Sequence, residues 1–348
     1  MKNTLIIFIY ILVLFGCEQN EIIVDNPELN LNFTEIKIST NISDRALNAV
    51  KFTSDQVGYI VGEGVVLKTT NGGWNWTKLI KDRLDDNINY QSLDFINDNK
   101  GYISRNKNLL ETIDGGLIFN EVELGASNSN FIESLDFAEI TDIIIKNDTS
   151  VIVSLNHYPN ATQAYSYIFE SIEDNWTRKS LGISAGGIYF LESIPQNLAV
   201  FAIGNRNHYL INNLNDISNI KIENKKFLDV KFLNSVAYAI AREHGGGALG
   251  RQSSDGNDEH YFLFSNDNGE NWLNRECPDN NLNAFDFFNK NKGVVVGNNG
   301  RIFKTSNSGI NWEKVTLSTN SNINDVKFLS ENEIIIIGEN GLINIINI

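Results

Sequence analysis

Residues 47–76 read LNAVKFTSDQVGYIVGEGVVLKTTNGGWNW, and this stretch is the unit from which the chain is built. Three short apolar runs, 49–52, 58–61 and 65–69, alternate in the manner of half-buried strands and show no helical period. Polar and Gly-containing turns separate them. The unit closes on a Thr-x-Asn-x-Gly-x-x-Trp motif, and a fourth strand is expected to begin near Trp74, after the Asn71-Gly72-Gly73 turn.

The opening triplet Val50-Lys51-Phe52 recurs as Leu93-Asp94-Phe95, Ile143-Ile144-Ile145, Ile188-Tyr189-Phe190, Val230-Lys231-Phe232, Phe285-Asp286-Phe287 and Val326-Lys327-Phe328. The steps are 43, 50, 45, 42, 55 and 41 residues. A period in the forties with four short strands per unit is that of a β-propeller blade. The last unit has three strands and then the chain stops. Residues 31–39, LNFTEIKIS, have the pattern of the missing strand and precede the first full unit. Pairing the two ends would leave no open sheet edge there. The sequence therefore predicts an all-β, seven-bladed propeller of four-stranded blades over residues 31–348, the last blade closed by an N-terminal strand.

Four units carry the same turn before strand four. Its members are Thr69, Asn71, Gly73 and Trp76; Thr112, Asp114, Gly116 and Phe119; Ser265, Asp267, Gly269 and Trp272; and Thr305, Asn307, Gly309 and Trp312. A short Asp or Asn side chain bonds amides further along the turn, and Gly supplies a positive φ at low cost. The turn reads as a staple for a hairpin, not as a set of catalytic carboxylates. It resembles the Asp-box, or bacterial neuraminidase repeat. The longer unit, with its Gly-Tyr-x-x-Gly-x-x-Gly lead-in, resembles the photosystem II stability/assembly factor-like propellers over residues 47–124 and 282–341. That resemblance implies a seven-bladed propeller used as a protein-interaction scaffold. Sialidases share the Asp-box, but their Arg-containing segment is missing: Ser193-Ile194-Pro195 lacks the Arg.

The irregular units point to a site. The loops expected between strands two and three in units three to five collect His157, Arg206, His208, Arg242, His244, Arg251 and His260, which includes every histidine of the chain. In a propeller these loops share one end of the blades, away from the staple turns. Loops on a rigid scaffold carry function disproportionately, so this is the candidate binding patch. The histidines lack metal-ligand spacing on a single element, and no metal or cofactor is expected. Gly245-Gly246-Gly247 is not followed by Lys-Ser or Lys-Thr and cradles no phosphate. The reading is a non-catalytic, monomeric scaffold that binds an envelope protein; the alternative is a propeller that binds or hydrolyses glycans.

A formal net charge of -15 argues against nucleic acid, where affinity comes from cations neutralising phosphates. Residues 1–16 have a basic start and an apolar run too short to span a bilayer comfortably, as a signal peptide does. They end in Leu14-Phe15-Gly16-Cys17, which resembles the lipobox of bacterial lipoproteins, with Cys17 the lipidated residue. Residues 17–30 read as a polar tether. The expected location is the bacterial cell envelope, with the lipid as the membrane contact. Cys277, the other cysteine, has no adjacent base and reads as a packed thiol.

Overall fold

A computed structural model describes residues 35–37, 44–83, 86–124, 137–160, 163–173, 175–184, 188–194, 199–204, 208–213, 215–220, 225–243 and 259–348. The signal segment, Cys17 and the tether lie outside them. Six sheets are each built from four consecutive strands in simple antiparallel order. Strand β1 is Glu35–Lys37. Blade 1 holds β2–β5 (Leu47–Phe52, Gly58–Gly62, Val65–Thr69, Thr77–Lys81) and blade 2 holds β6–β9 (Leu93–Phe95, Gly101–Arg105, Asn108–Thr112, Asn120–Val122). Blade 3 holds β10–β13 (Ala138–Asn147, Ser150–Asn160, Gln163–Ile172, Asn175–Ser184) and blade 4 holds β14–β17 (Ile188–Ile194, Ala199–Gly204, His208–Asn213, Asp216–Ile220). Blade 5 holds β18–β21 (Lys225–Leu233, Val236–Glu243, His260–Ser265, Leu273–Arg275) and blade 6 holds β22–β25 (Leu282–Phe287, Gly293–Gly297, Ile302–Thr305, Glu313–Val315). The remaining sheet is composite. It joins β26–β28 (Ile323–Ser330, Glu333–Gly338, Ile343–Asn347) to β1, in the order β1-β28-β27-β26.

The chain is thus an all-β propeller of four-stranded blades, and six blades are continuous in sequence. The count of seven expected from the sequence is reached only by adding the composite sheet. There the strand expected over residues 31–39 pairs through Glu35–Lys37 alone among the described residues, with Ile36 opposite Ile345. Two further corrections concern register. Strand β5 begins at Thr77, not near Trp74, because the staple turn occupies the intervening residues. In blade 4 the residue equivalent to Lys51 is Glu192, not Tyr189. A bulge between Ile188 and Phe190 matches the bulge between Leu47 and Ala49, which places Leu191-Glu192-Ser193 on Val50-Lys51-Phe52.

That bulge recurs near the start of the first strand: between Ile140 and Asp142, Phe227 and Asp229, Leu282 and Ala284, and Ile323 and Asp325. The extra residue turns its side chain away from its own ladder. In four blades it donates a hydrogen bond to a backbone carbonyl of the next blade. Asn48 reaches Tyr90 O (2.9 Å), Thr141 reaches Ile188 O (2.8 Å), Asn283 reaches Ile323 O (2.9 Å) and Asn324 reaches Leu47 O (2.9 Å).

Carboxylates complete the seams from the other side. The first strand of a blade is a sheet edge with amides left over. Asp94 accepts from Ile145 N (2.8 Å), Asp142 from Leu191 N (2.8 Å), Glu192 from Phe232 N (3.4 Å), Asp229 from Phe285 N (3.2 Å), Asp286 from Phe328 N (2.8 Å) and Asp325 from Val50 N (2.9 Å). Each runs from one blade to the next, and a buried amide left unmet would cost about 1–3 kcal/mol. The apolar core is divided in the same way, into clusters that each join two neighbouring blades. Leu47, Val50 and Leu67 of blade 1 pack with Ile335, Ile337, Ile343 and Ile345 of the composite sheet. Each such side chain, fully buried, contributes about 1.5–3 kcal/mol.

Candidate functional site

The staple turns behave as their chemistry requires. Thr69 Oγ1 donates to Asn71 Oδ1 (3.0 Å) and accepts from Gly73 N (3.0 Å), while Asn71 Oδ1 accepts from Asn75 N (2.9 Å). The same bonds form at Thr112, Asp114, Gly116 and Ile118, at Ser265, Asp267, Gly269 and Asn271, and at Thr305, Asn307, Gly309 and Asn311. Two successive residues take positive φ at each turn: Gly72 and Gly73, Gly115 and Gly116, Asn268 and Gly269, Ser308 and Gly309. Amides donated by Ile118 to Asp114 and by Asn271 to Asp267 hold both carboxyls below the usual range. They are fixed anions engaged in their own turns.

The turns also clasp the preceding blade. Lys68 Nζ and Tyr59 Oη of blade 1 donate to Gly115 O of blade 2 (2.8 and 3.2 Å), and Arg275 of blade 5 donates to Ser308 O of blade 6. Trp76 donates to Gly73 O (2.8 Å) and packs edge-on against Phe52, its ring centroid 6.1 Å away.

The candidate patch is placed differently from expectation. His157 belongs to β11, His208 opens β16, Arg242 lies in β19 and His260 opens β20, so these are strand-end residues and not loop residues. The cause is visible in blade 3. Blade 1 turns at Gly62 and Gly64, whereas β11 and β12 have no Gly there and continue pairing through His157 and Tyr165. Arg206, His244 and Arg251 lie outside the described residues, and the side chain of His208 is likewise not described.

Within blade 5 the patch residues do meet. Arg242 is the direct cross-strand partner of both Lys226 and His260. Direct partners project from the same sheet face, so three basic side chains form one row. Burial, with Arg242 beside it, pushes the Lys226 ammonium down to about 8. Lys225 lies over the ring of Tyr261, 4.3 Å from its centroid. His157 is on another blade, stacked on Tyr165 with centroids 6.1 Å apart. Near it, at the same end of the blades, a cavity of about 340 Å³ opens between blades 2 and 3. It is lined by Phe137, Tyr158, Asn89, Gln91, Asn106 and Glu139, with Phe137 81% exposed.

A second charged assembly was not singled out from the sequence. Lys51, Asp94, Glu192, Lys231, Asp286 and Lys327 occupy equivalent positions on the first strands of six blades. Lys51 pairs with Asp94 (2.9 Å), Lys231 with Asp286, and Lys327 with Asp325 (3.4 Å). For all but Glu192 the signal was present in the quoted triplets: a charged residue between two apolar ones. Burial pushes Glu192 and Asp229 up to about 7 and Asp142 up to about 6. Cys277 is partly buried between blades 5 and 6, and its thiol is pushed up to about 11 by burial. It is a packed group, not an activated thiolate. Among the described residues no cluster of three or more His, Cys, Asp or Glu is arranged to hold a metal ion.

The chain matches a family model described as photosynthesis system II assembly factor YCF48 over residues 28–151, less than half of its length. It is 43% identical over 60 residues to the chloroplastic photosystem II stability/assembly factor HCF136 of Oryza sativa subsp. japonica, a stretch covering 17% of this chain and 14% of that protein. Among solved structures, one described as YCF48 bound to D1 peptide superposes with a TM-score of 0.65 at 16% identity, covering 90% of this chain and 96% of that one. YCF48 from Cyanidioschyzon merolae gives 0.62 at 14% identity, covering 91% and 99%. The WD40 propeller domain of Doa1 gives 0.59 at 10%, covering 90% and 95%. At these identities the likeness establishes the propeller fold.

Proposed function

We propose that this chain is a non-catalytic propeller that binds a protein partner through the strand-two-to-three end of blades 3 to 5. The observation that carries the reading is the cross-strand row Lys226, Arg242 and His260 in a chain whose overall charge is -15. His260 is buried, so Lys226 and Arg242 carry the charge of this row, and two local cations on an acidic body select for a segment carrying carboxylates, because attraction is confined to that spot and repulsion prevails elsewhere. The propeller solved with a D1 peptide gives a precedent for a peptide ligand on this architecture. Arg206, His208, His244, Arg251 and His157 would extend the same surface.

The partner is proposed to be an envelope protein. The lipobox-like end at Cys17 would hold the propeller on the bacterial envelope by a lipid, with residues 18–30 as tether. The reading is tested by affinity capture from solubilised envelope membranes with the wild-type protein and Arg242→Glu. A partner retained by the former and lost by the latter supports it, and an unchanged set of captured proteins contradicts it. The anchor is tested separately with globomycin: the expected result is accumulation of an unprocessed precursor, and normal maturation under the drug would contradict lipidation.

A further inference from the structure

We propose that the staple end of the propeller is a membrane-docking face: its apolar turn tips enter the surface of a lipid bilayer beside the anchor, leaving the strand-two-to-three end open to a partner. Large exposed apolar side chains are distributed unevenly over the molecule. Of the nine among the described residues, eight lie at the staple end, and only Phe137 lies at the other. Apolar residues scattered singly over a surface carry no message, but a face that gathers them marks a contact. Blade 2 contributes Ile113, Leu117 and Ile118 on one turn, with Leu117 82% exposed. Blade 1 adds Trp74, and blade 6 adds Phe288 and Ile310.

The turn itself does not call for these residues. In blade 1 its bonds are made by Thr69, Asn71 and Gly73, and Trp76 packs inward on Phe52. The sixth position of the motif has no part in this. It is Trp74, Leu117 and Ile310 in three turns but Glu270 in blade 5, where the same bonds form. An apolar tip there serves something outside the blade, and the path of the chain says what. Strand β1 is the outer strand of the composite sheet, and Glu35 pairs with Ile346, at the end of β28 that corresponds to the staple end of other blades. The chain therefore enters β1 from the staple end. The composite sheet shares one apolar cluster with blade 1 and another with blade 6, so this entry lies between Trp74 and Ile310. About 18 residues separate Glu35 from Cys17, a tether with a mean span of about 25 Å. Here the inference rests on the lipid anchor proposed above. An anchor on Cys17 would hold this end at the bilayer and make the second contact intramolecular, so that a few side chains suffice. Leu and Ile suit the apolar boundary, and Trp suits the headgroup level. A net charge of -15 gives no attraction to anionic lipid, so apolar contact has to carry the docking.

The test uses the full chain reconstituted in phosphatidylcholine vesicles that contain a lipid with a photoreactive group in its acyl chain, the adducts being mapped by mass spectrometry. Adducts on residues 70–76, 113–119 and 306–312 are expected to exceed those on residues 137–160 by about tenfold or more. Leu117→Glu with Ile118→Glu, both at exposed positions, should lower the adducts at all three turns by about tenfold and leave the circular dichroism unchanged. The anchor and the face separate in this assay. An unlipidated chain that still takes adducts on these turns keeps the face and discards the anchor. A lipidated chain labelled equally at both ends, or at neither, keeps the anchor and overturns the face. A dimer joined through these turns, detected by sedimentation and dissolved by the double substitution while the lipid adducts do not change, overturns it as well.

Discussion

Replacing Asp142 by Ala should destabilise the protein more at pH 5 than at pH 8. Asp142 joins three blades: it accepts from Ser92 Oγ of blade 2 (2.5 Å), from Leu191 N of blade 4 (2.8 Å) and from Ile143 N of its own strand (2.9 Å). Removal leaves the Ser92 hydroxyl and the Leu191 amide without this acceptor, while Ile143 N keeps Ser92 Oγ (3.3 Å), and even one buried group left unmet costs about 1–3 kcal/mol. The wild-type side has its own pH dependence. Burial pushes the Asp142 carboxyl up to about 6. A carboxyl raised in the folded state contributes stability that is fully present below its unfolded value and lost as pH rises through the folded one. At pH 5 this term favours the wild type by about 1.4 kcal/mol, and at pH 8 it has vanished. The variant lacks the term. Urea unfolding of both proteins at the two pH values, followed by tryptophan fluorescence, measures it. The expected deficit is about 2–4 kcal/mol at pH 5 and about 1 kcal/mol smaller at pH 8. A deficit equal at both values, or larger at pH 8, would refute the assignment of a half-buried, seam-bridging carboxyl.

Three further outcomes follow from the same geometry. Gly297→Ala should lower stability by about 1–3 kcal/mol, because a Cβ there would lie 1.8 Å from Asn281 O, in backbone that cannot yield cheaply; thermal denaturation checks it. Ser308→Gly should raise the melting temperature slightly, since Ser308 holds a φ of 64° at a place where the blade 1 and blade 2 turns have Gly. Asn283→Ala, which removes bonds to Ile323 O (2.9 Å) and Asn298 Oδ1 (2.8 Å), should cost about 1 kcal/mol in denaturant titration, leaving partner capture unchanged.

The blades were legible because local chemistry sets them: alternation in 47–52, Gly62 and Gly64 at a turn, and the paired positive φ of each staple all leave marks on neighbouring residues. Closure by residues 31–39 was legible from the strand count at the two ends. What joins one blade to the next was not. Asp142 meets Leu191 across 49 positions, and Asp325 meets Val50 across 275, so no local pattern records the bond. The register of blade 4 was lost for a related reason. Its bulge lets Ile188-Tyr189-Phe190 imitate an opening triplet that lies three residues further on. The patch residues were assigned to loops, because a polar run such as Asn156-His157-Tyr158 looks like a turn until its partner strand is known.

The central claim concerns which end of the blades receives a partner. A photocrosslinking amino acid in place of Glu259, exposed beside the cationic row of blade 5, is compared with one in place of Ile310, 55% exposed on a staple turn at the opposite end. The account predicts a partner crosslinked from position 259 and none from position 310. Crosslinking from 310 alone would place recognition on the staple face and contradict it.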